Sequence, residues 1–252
     1  MAITATGVFT VAGISALRDL IYSEGEDHFL YVALGEGDTA ATVNDTALEA
    51  EVHREAVTAT ASAAKQITFS KAISITGAYS LNEVGIFNDS VAGDLLWRGV
   101  FDTEAETASG DTVPFELVVT LAGAANSLTT AGLNEVRNLL GDLSTPSGFT
   151  YLAYGTGTGA ESASDTALGA EVDREQCTGD EKVTWTTFAS NDTLRLWKIF
   201  TASSSGTIGE VGIFNASTGG DMLARSLLSS ENRDVYSPGS KIIVVYDITP
   251  YG

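Results

Sequence analysis

The chain has 252 residues, with 33 acidic side chains against 13 basic ones and a formal net charge of −20. Such a surface repels phosphate backbones and anionic lipid, which argues against nucleic acid and membrane as partners. It suits high salt, where cations screen its self-repulsion, so greater stability in molar salt than in dilute buffer is expected. A single cysteine, Cys177, and two histidines, His28 and His53, rule out an intrachain disulfide and a Cys/His zinc framework, leaving packing to supply stability. Met1–Ser23 is interrupted by Thr10, Ser15, Arg18 and Asp19, and reads as neither signal peptide nor membrane span.

In chain order, the spacing of Ile14, Leu17, Leu20 and Ile21 predicts a helix over Val11–Tyr22. A strand follows at Phe29–Gly35, and the chain then enters a Gly/Thr/Asp/Ser stretch that predicts turns. Short β-rich runs come next at Ala56–Ser62, Ile67–Ile75, Tyr79–Asn88 and Leu95–Phe101. A final strand alternates with period two through Phe115, Leu117, Val119 and Leu121.

The same order then begins again. Leu133, Val136, Leu139 and Leu140 predict a helix over Thr130–Leu140, with Thr129 or Thr130 as cap and Gly141 as stop. Phe149–Gly155, runs near Val183–Ala189, Leu194–Phe200, Thr207–Asn215 and Met222–Leu228, and the alternation of Ile242, Val244, Tyr246 and Ile248 complete it. Two blocks fix the alignment. Asp45–Glu55 returns 120 residues later as Asp165–Glu175, with Gly169 for Glu49 and Asp173 for His53, and Glu83–Asn88 returns unchanged 127 residues later as Glu210–Asn215. The expected fold is α+β and mainly β. It comprises two tandem homologous domains, 1–124 and 125–252, each one helix plus a mostly antiparallel, sandwich-like sheet. The join is expected near Ala122–Leu128, and the first seven or so residues as an arm or edge strand.

Motifs of catalytic chemistry are weak. The glycines of Gly35–Glu36–Gly37 and Gly155–Thr156–Gly157–Thr158–Gly159 lead into Asp38, Thr39 and Ala40 or into Ala160 and Glu161 with no lysine, unlike a nucleotide loop, and read as a turn-rich loop. His53 gives way to Asp173, no Ser–His–acid set is duplicated, and no nucleophile elbow is present, so no catalytic residue is assigned and no enzyme is expected. The acidic stretches Asp38–Asp45 and Asp102–Asp111 offer oxygen donors for calcium but lack EF-hand spacing, so neither metal nor cofactor is assigned. Trp97, Trp185 and Trp197 occupy no shared place and are expected in packing. The charged residues most faithfully repeated among apolar neighbours are Arg54, Glu83, Arg174 and Glu210. Structural ion pairs Arg54–Glu83 and Arg174–Glu210 are expected from them.

Ala12–Gly13 and Ala131–Gly132 in the helices, then the Gly-rich turn, Thr46–Ala47–Leu48 with Glu51–Val52 and Arg54, and Glu83–Val84–Gly85–Ile86–Phe87 recur in one order. This order resembles the N-terminal attachment domain of phage tail-collar and tail-fibre proteins, over Val11–Leu121 and again over Leu128–Ile248. The resemblance implies a structural virion protein, assembled in the host cytoplasm, that acts as a tail, collar or baseplate connector for fibres or neighbouring components. A fibre would continue into a shaft and receptor-binding tip, and this chain stops after the second module, so the resemblance does not carry receptor binding over. A capsid decoration or turret protein is the alternative, and a secreted glycan-binding protein a more distant one. Other viral structural proteins are the expected partners. A closed homo-oligomer is also expected, a trimer being favoured because six similar domains would then form a pseudo-sixfold ring.

Overall fold

In the computed structural model, which describes residues 5–22, 27–121, 128–144, 146–185, 193–230 and 233–248, a threonine starts each of the two helices. Helix α1 spans Val11–Tyr22 and helix α2 spans Thr130–Leu140. The Thr10 hydroxyl accepts from the Gly13 N–H at 3.0 Å and the Thr129 hydroxyl from the Gly132 N–H at 2.9 Å, satisfying donors that a helix start leaves open. Each buried hydroxyl also donates to a strand carbonyl, that of Leu95 or Met222, so the cap is a weld between helix and sheet.

The strands before residue 122 are β1 (Ala5–Phe9), β2 (Tyr31–Gly35), β3 (Glu51–Ala56), β4 (Thr58–Ala63), β5 (Gln66–Ser74), β6 (Tyr79–Phe87), β7 (Leu95–Thr107) and β8 (Thr112–Thr120). They form two antiparallel sheets, ordered β1-β7-β6-β2-β3 and β4-β5-β8. After residue 128 come β9 (Tyr151–Gly155), β10 (Glu171–Gln176), β11 (Lys182–Trp185), β12 (Thr193–Thr201), β13 (Gly206–Thr207), β14 (Glu210–Phe214), β15 (Met222–Leu227), β16 (Val235–Tyr236) and β17 (Lys241–Ile248). Their sheets run β10-β9-β14-β15, β11-β12-β17 and β13-β16. The chain is thus α+β and mainly β, with antiparallel pairing in every sheet among the described residues.

Strand alternation places Val32, Leu34, Val84 and Ile86 of the first sheet in one apolar core with Ile67, Phe69 and Ile73 of the second. That core does not stop at residue 124. It runs on through Ala16, Leu20 and Ile21 of α1 and Val136, Leu139 and Leu140 of α2 into Leu152, Leu194, Leu196 and Phe200. Each helix packs on a strand of its own half, α1 on β7 and α2 on β15. Each also touches the second sheet of the other half, α1 at β12 and α2 at β5. The helix ends are closed reciprocally. Phe29 N–H donates to the Leu140 carbonyl at 3.0 Å, and Phe149 N–H donates to the Ile21 carbonyl at 2.7 Å. His28 Nδ1 adds a contact to the Leu139 carbonyl.

Both helices and most strands lie where periodicity puts them. Two strands do not. Glu51–Ala56 has no strand assigned from sequence because Glu51, Arg54 and Glu55 interrupt its apolar pattern, yet it pairs with β2 along its length. Ala5–Phe9, expected as an arm or edge strand, is the edge strand of the first sheet. Most of the expected join, residues 122–127, and part of the run Val183–Ala189 lie outside the described residues.

Candidate functional site

Two buried carboxylates organise the most exposed part of each half. After β2 the chain leaves the sheet for residues 36–50 before returning as β3, and Gly35 at the departure point lies opposite Glu83 of β6. Glu83 is fully buried, and each of its oxygens accepts twice. Oε1 accepts from the N–H groups of Gly37 (3.2 Å) and Ala50 (2.8 Å), and Oε2 from Glu49 N–H (3.1 Å) and Arg98 Nε (2.8 Å). Arg98, 2% exposed, continues the chain of bonds to Asp45 Oδ2 at 2.8 Å and the Thr39 carbonyl at 3.2 Å. One ion pair therefore pins both ends and the middle of the loop. Gly35 and Gly37 are required there, since a Cβ would come within 2.4 and 2.6 Å of Glu83 Oε1.

The same atoms do the same work in the other half. Glu210 Oε1 accepts from Gly157 (3.1 Å) and Ala170 (2.7 Å), and Oε2 from Gly169 (3.0 Å) and Arg225 Nε (2.7 Å). Arg225 reaches Asp165 Oδ2 at 2.7 Å and the carbonyls of Ala160 and Gly159. Beneath the loops, Leu48 packs with Ala33, Phe87 and Leu95, and Leu168 with Ala153, Phe214 and Met222. Gly85 and Gly212 make room for those leucines, because a Cβ on either would sit within about 3 Å of the leucine methyl.

The expected pairings Arg54–Glu83 and Arg174–Glu210 are not formed. Arg54, Ala33, Gly85 and Arg98 stand in one row across β3, β2, β6 and β7. Arg54 is thus two strands, about 10 Å, from Glu83's strand, while Arg98 is next to it. Arg54 instead grips Glu51 with two bonds, at 2.9 and 2.6 Å, lies 3.6 Å above the Phe87 ring and donates to the Asp89 and Ala92 carbonyls of the β6–β7 turn. Arg174 repeats this with Glu171, Phe214, Ala216 and Gly219. All four residues are in ion pairs, with other partners than expected. The missed partners, Arg98 and Arg225, were visible: Leu96–Trp97–Arg98 and Leu223–Ala224–Arg225 stand 127 residues apart, like the block that carries the two glutamates.

Burial alone would raise the carboxyl of Glu210, but the N–H groups of Ala170 and Gly169 and the Arg225 guanidinium outweigh it and hold it below the ordinary 4.5. A group depressed in the folded state stabilises fully above its unfolded value and loses that contribution as pH falls through the folded one. Urea midpoints are therefore expected to hold from neutrality to about pH 4.5 and to drop below it. Glu210→Gln should start lower and show a shallower acid limb. An identical acid limb in the variant would contradict this.

Each strut carboxylate has its full complement of about four acceptor sites occupied, which leaves none for proton transfer to a substrate. Burial pushes the Cys177 thiol up to about 12, far from a reactive thiolate. Trp97 is half-buried against the core, and Trp197 donates to the Asp180 carbonyl. The side chain of Trp185 lies outside the described residues.

The geometry defines a class: a β-rich framework whose buried charges hold exposed polar loops in a fixed shape. Residues 123–239, which contain the second of those struts, match the family model described as Podophage GP4 fiber I protein gp80. No curated protein matches, and no solved structure matches. The family is one of phage structural fibre proteins. The match, over those residues, supports a tail-fibre-related protein.

Proposed function

We propose that the chain is a non-enzymatic connector of the tail, collar or baseplate, built of two tandem copies of one module over 1–124 and 125–252. The strut-held loops 36–50 and 156–170 serve as its contact surfaces to other virion proteins. The observation that carries this reading is the pair of atom-for-atom equivalent struts, one of them inside the segment that matches a phage fibre family. A buried ion pair costs desolvation and is a poor source of net stability, but it specifies a unique loop shape, which a docking surface needs. The reciprocal helix-end bonds support a twofold relation between the two copies within one chain. The favoured assembly on the particle is a trimer, which brings six modules around one axis.

Labelling purified particles with an antibody to this chain tests the reading. Label confined to the tail or its junction with the head, in multiples of three copies, is the expected result. Label spread over the head shell would place the protein among decoration proteins instead.

A further inference from the structure

The outer strand of the second sheet differs between the two halves in a way that packing does not explain. Among the described strands, β8 pairs only with β5, and β17 only with β12, so each is an edge. Exposed edges invite pairing with another chain, and proline or mid-strand charge is the usual guard against it. On β8 the outward residues are Thr112, Pro114, Glu116, Val118 and Thr120, which include both guards. At the corresponding positions, 127 residues on, β17 has Lys241 for Pro114 and Ile243 for Glu116. The guards are gone. Its outward row is Lys241, Ile243, Val245 and Asp247, with Ile243 65% and Val245 51% exposed. The neighbouring strand follows suit, since Ile199, 43% exposed, lies across from Ile243 and the half-buried Trp197 across from Val245.

That row is self-complementary. If two copies of β17 pair antiparallel about Val244, Lys241 of each meets Asp247 of the other, and Ile243 meets Val245. Each cross-strand contact is then apolar on apolar or cation on anion. Asp247, already held by Arg195 at 2.7 Å in its own chain, would accept Lys241 of the other copy as well. A shift of two residues would put Lys241 against Val245 and lose the charge match, so the register is specified by the side chains. We propose that β17 is a β-augmentation edge whose occupant is a second copy of this chain, joined about a twofold axis into a continuous sheet. This pairing does not rest on the virion reading.

Light scattering of the purified full chain from micromolar to near-millimolar concentration tests it. The wild type is expected to move from one copy to two as concentration rises. Lys241→Pro with Ile243→Glu, which restores the guards found in the other half, should remain a single copy with an unchanged circular dichroism spectrum. The milder Ile243→Thr, which keeps β propensity, should weaken association about tenfold or more. Amide exchange read on the wild type alone gives an independent check: β17 amides should slow as the dimer forms. A wild type that stays a single copy throughout would overturn the proposal. So would an oligomer of any size that both variants leave intact, or β17 amides indifferent to concentration.

Discussion

Arg98→Met is expected to lower the melting temperature by about 6–20 °C, the equivalent of about 3–5 kcal/mol in a chain of this size. The size follows from what remains. Glu83 would keep three N–H donors but lose its counter-charge at a fully buried position, and Asp45 and the Thr39 carbonyl would lose the bonds that tie them to this guanidinium. Methionine fills the same space, so the loss is electrostatic rather than a cavity. Arg225→Met should behave alike. Arg54→Ala separates this account from the pairing expected at first. It removes an ion pair with the half-exposed Glu51 and a ring contact, and should cost about 1–2 kcal/mol. Thermal unfolding of the three variants side by side decides the matter. A larger loss for Arg54→Ala than for Arg98→Met would contradict the strut assignment.

Gly13→Ala is expected to destabilise by about 1–3 kcal/mol, although alanine is the better helix former by about 1 kcal/mol. A Cβ at this position would sit 2.3 Å from Leu96 Cα and 2.6 Å from the Leu95 carbonyl oxygen, and backbone cannot swing aside as a side chain can. Helix α1 would have to lift off β7, stretching the Thr10 bonds that join them. Gly132 faces Leu223 Cα at 2.4 Å and should respond in the same way. Gly159→Ala, with open space around its Cβ, serves as the control and should be close to neutral. Denaturant titration measures all three. A Gly13→Ala chain as stable as the wild type would show that the helix is not seated as closely as the distances imply.

Much of the fold was legible because its elements obey simple periods. The two helices present apolar faces at helical spacing, and β8 and β17 alternate strictly, so the helix bounds and these two strands could be read from residue type alone. Strand β3 was not legible, because Glu51, Arg54 and Glu55 break its apolar alternation, and only the fold shows that Arg54 spends its charge on Glu51 and its flat face on Phe87. The struts were half legible. Repetition singled out Glu83 and Glu210 as more than surface charges, but choosing the partner required knowing which strand lies beside β6 or β14. Order within an antiparallel sheet is a long-range property that residue pattern does not state. Strand order β7-β6-β2-β3 gives the glutamate to Arg98 and leaves Arg54 two strands away. The Gly–Leu fits beneath the loops, Gly85 with Leu48 and Gly212 with Leu168, were likewise invisible until the chain had folded back on itself.

The reciprocal closing of the helix ends sets a timetable for synthesis. The Ile21 carbonyl at the end of α1 receives its hydrogen bond from Phe149, far downstream. A nascent chain that has already emerged with α1 must wait for that residue, at ordinary ribosomal speed roughly 6–26 seconds. During this interval Ala16, Leu20 and Ile21 have no α2 to cover them. The growing polypeptide is therefore at its stickiest midway through translation, when many ribosomes on one message hold unfinished copies side by side.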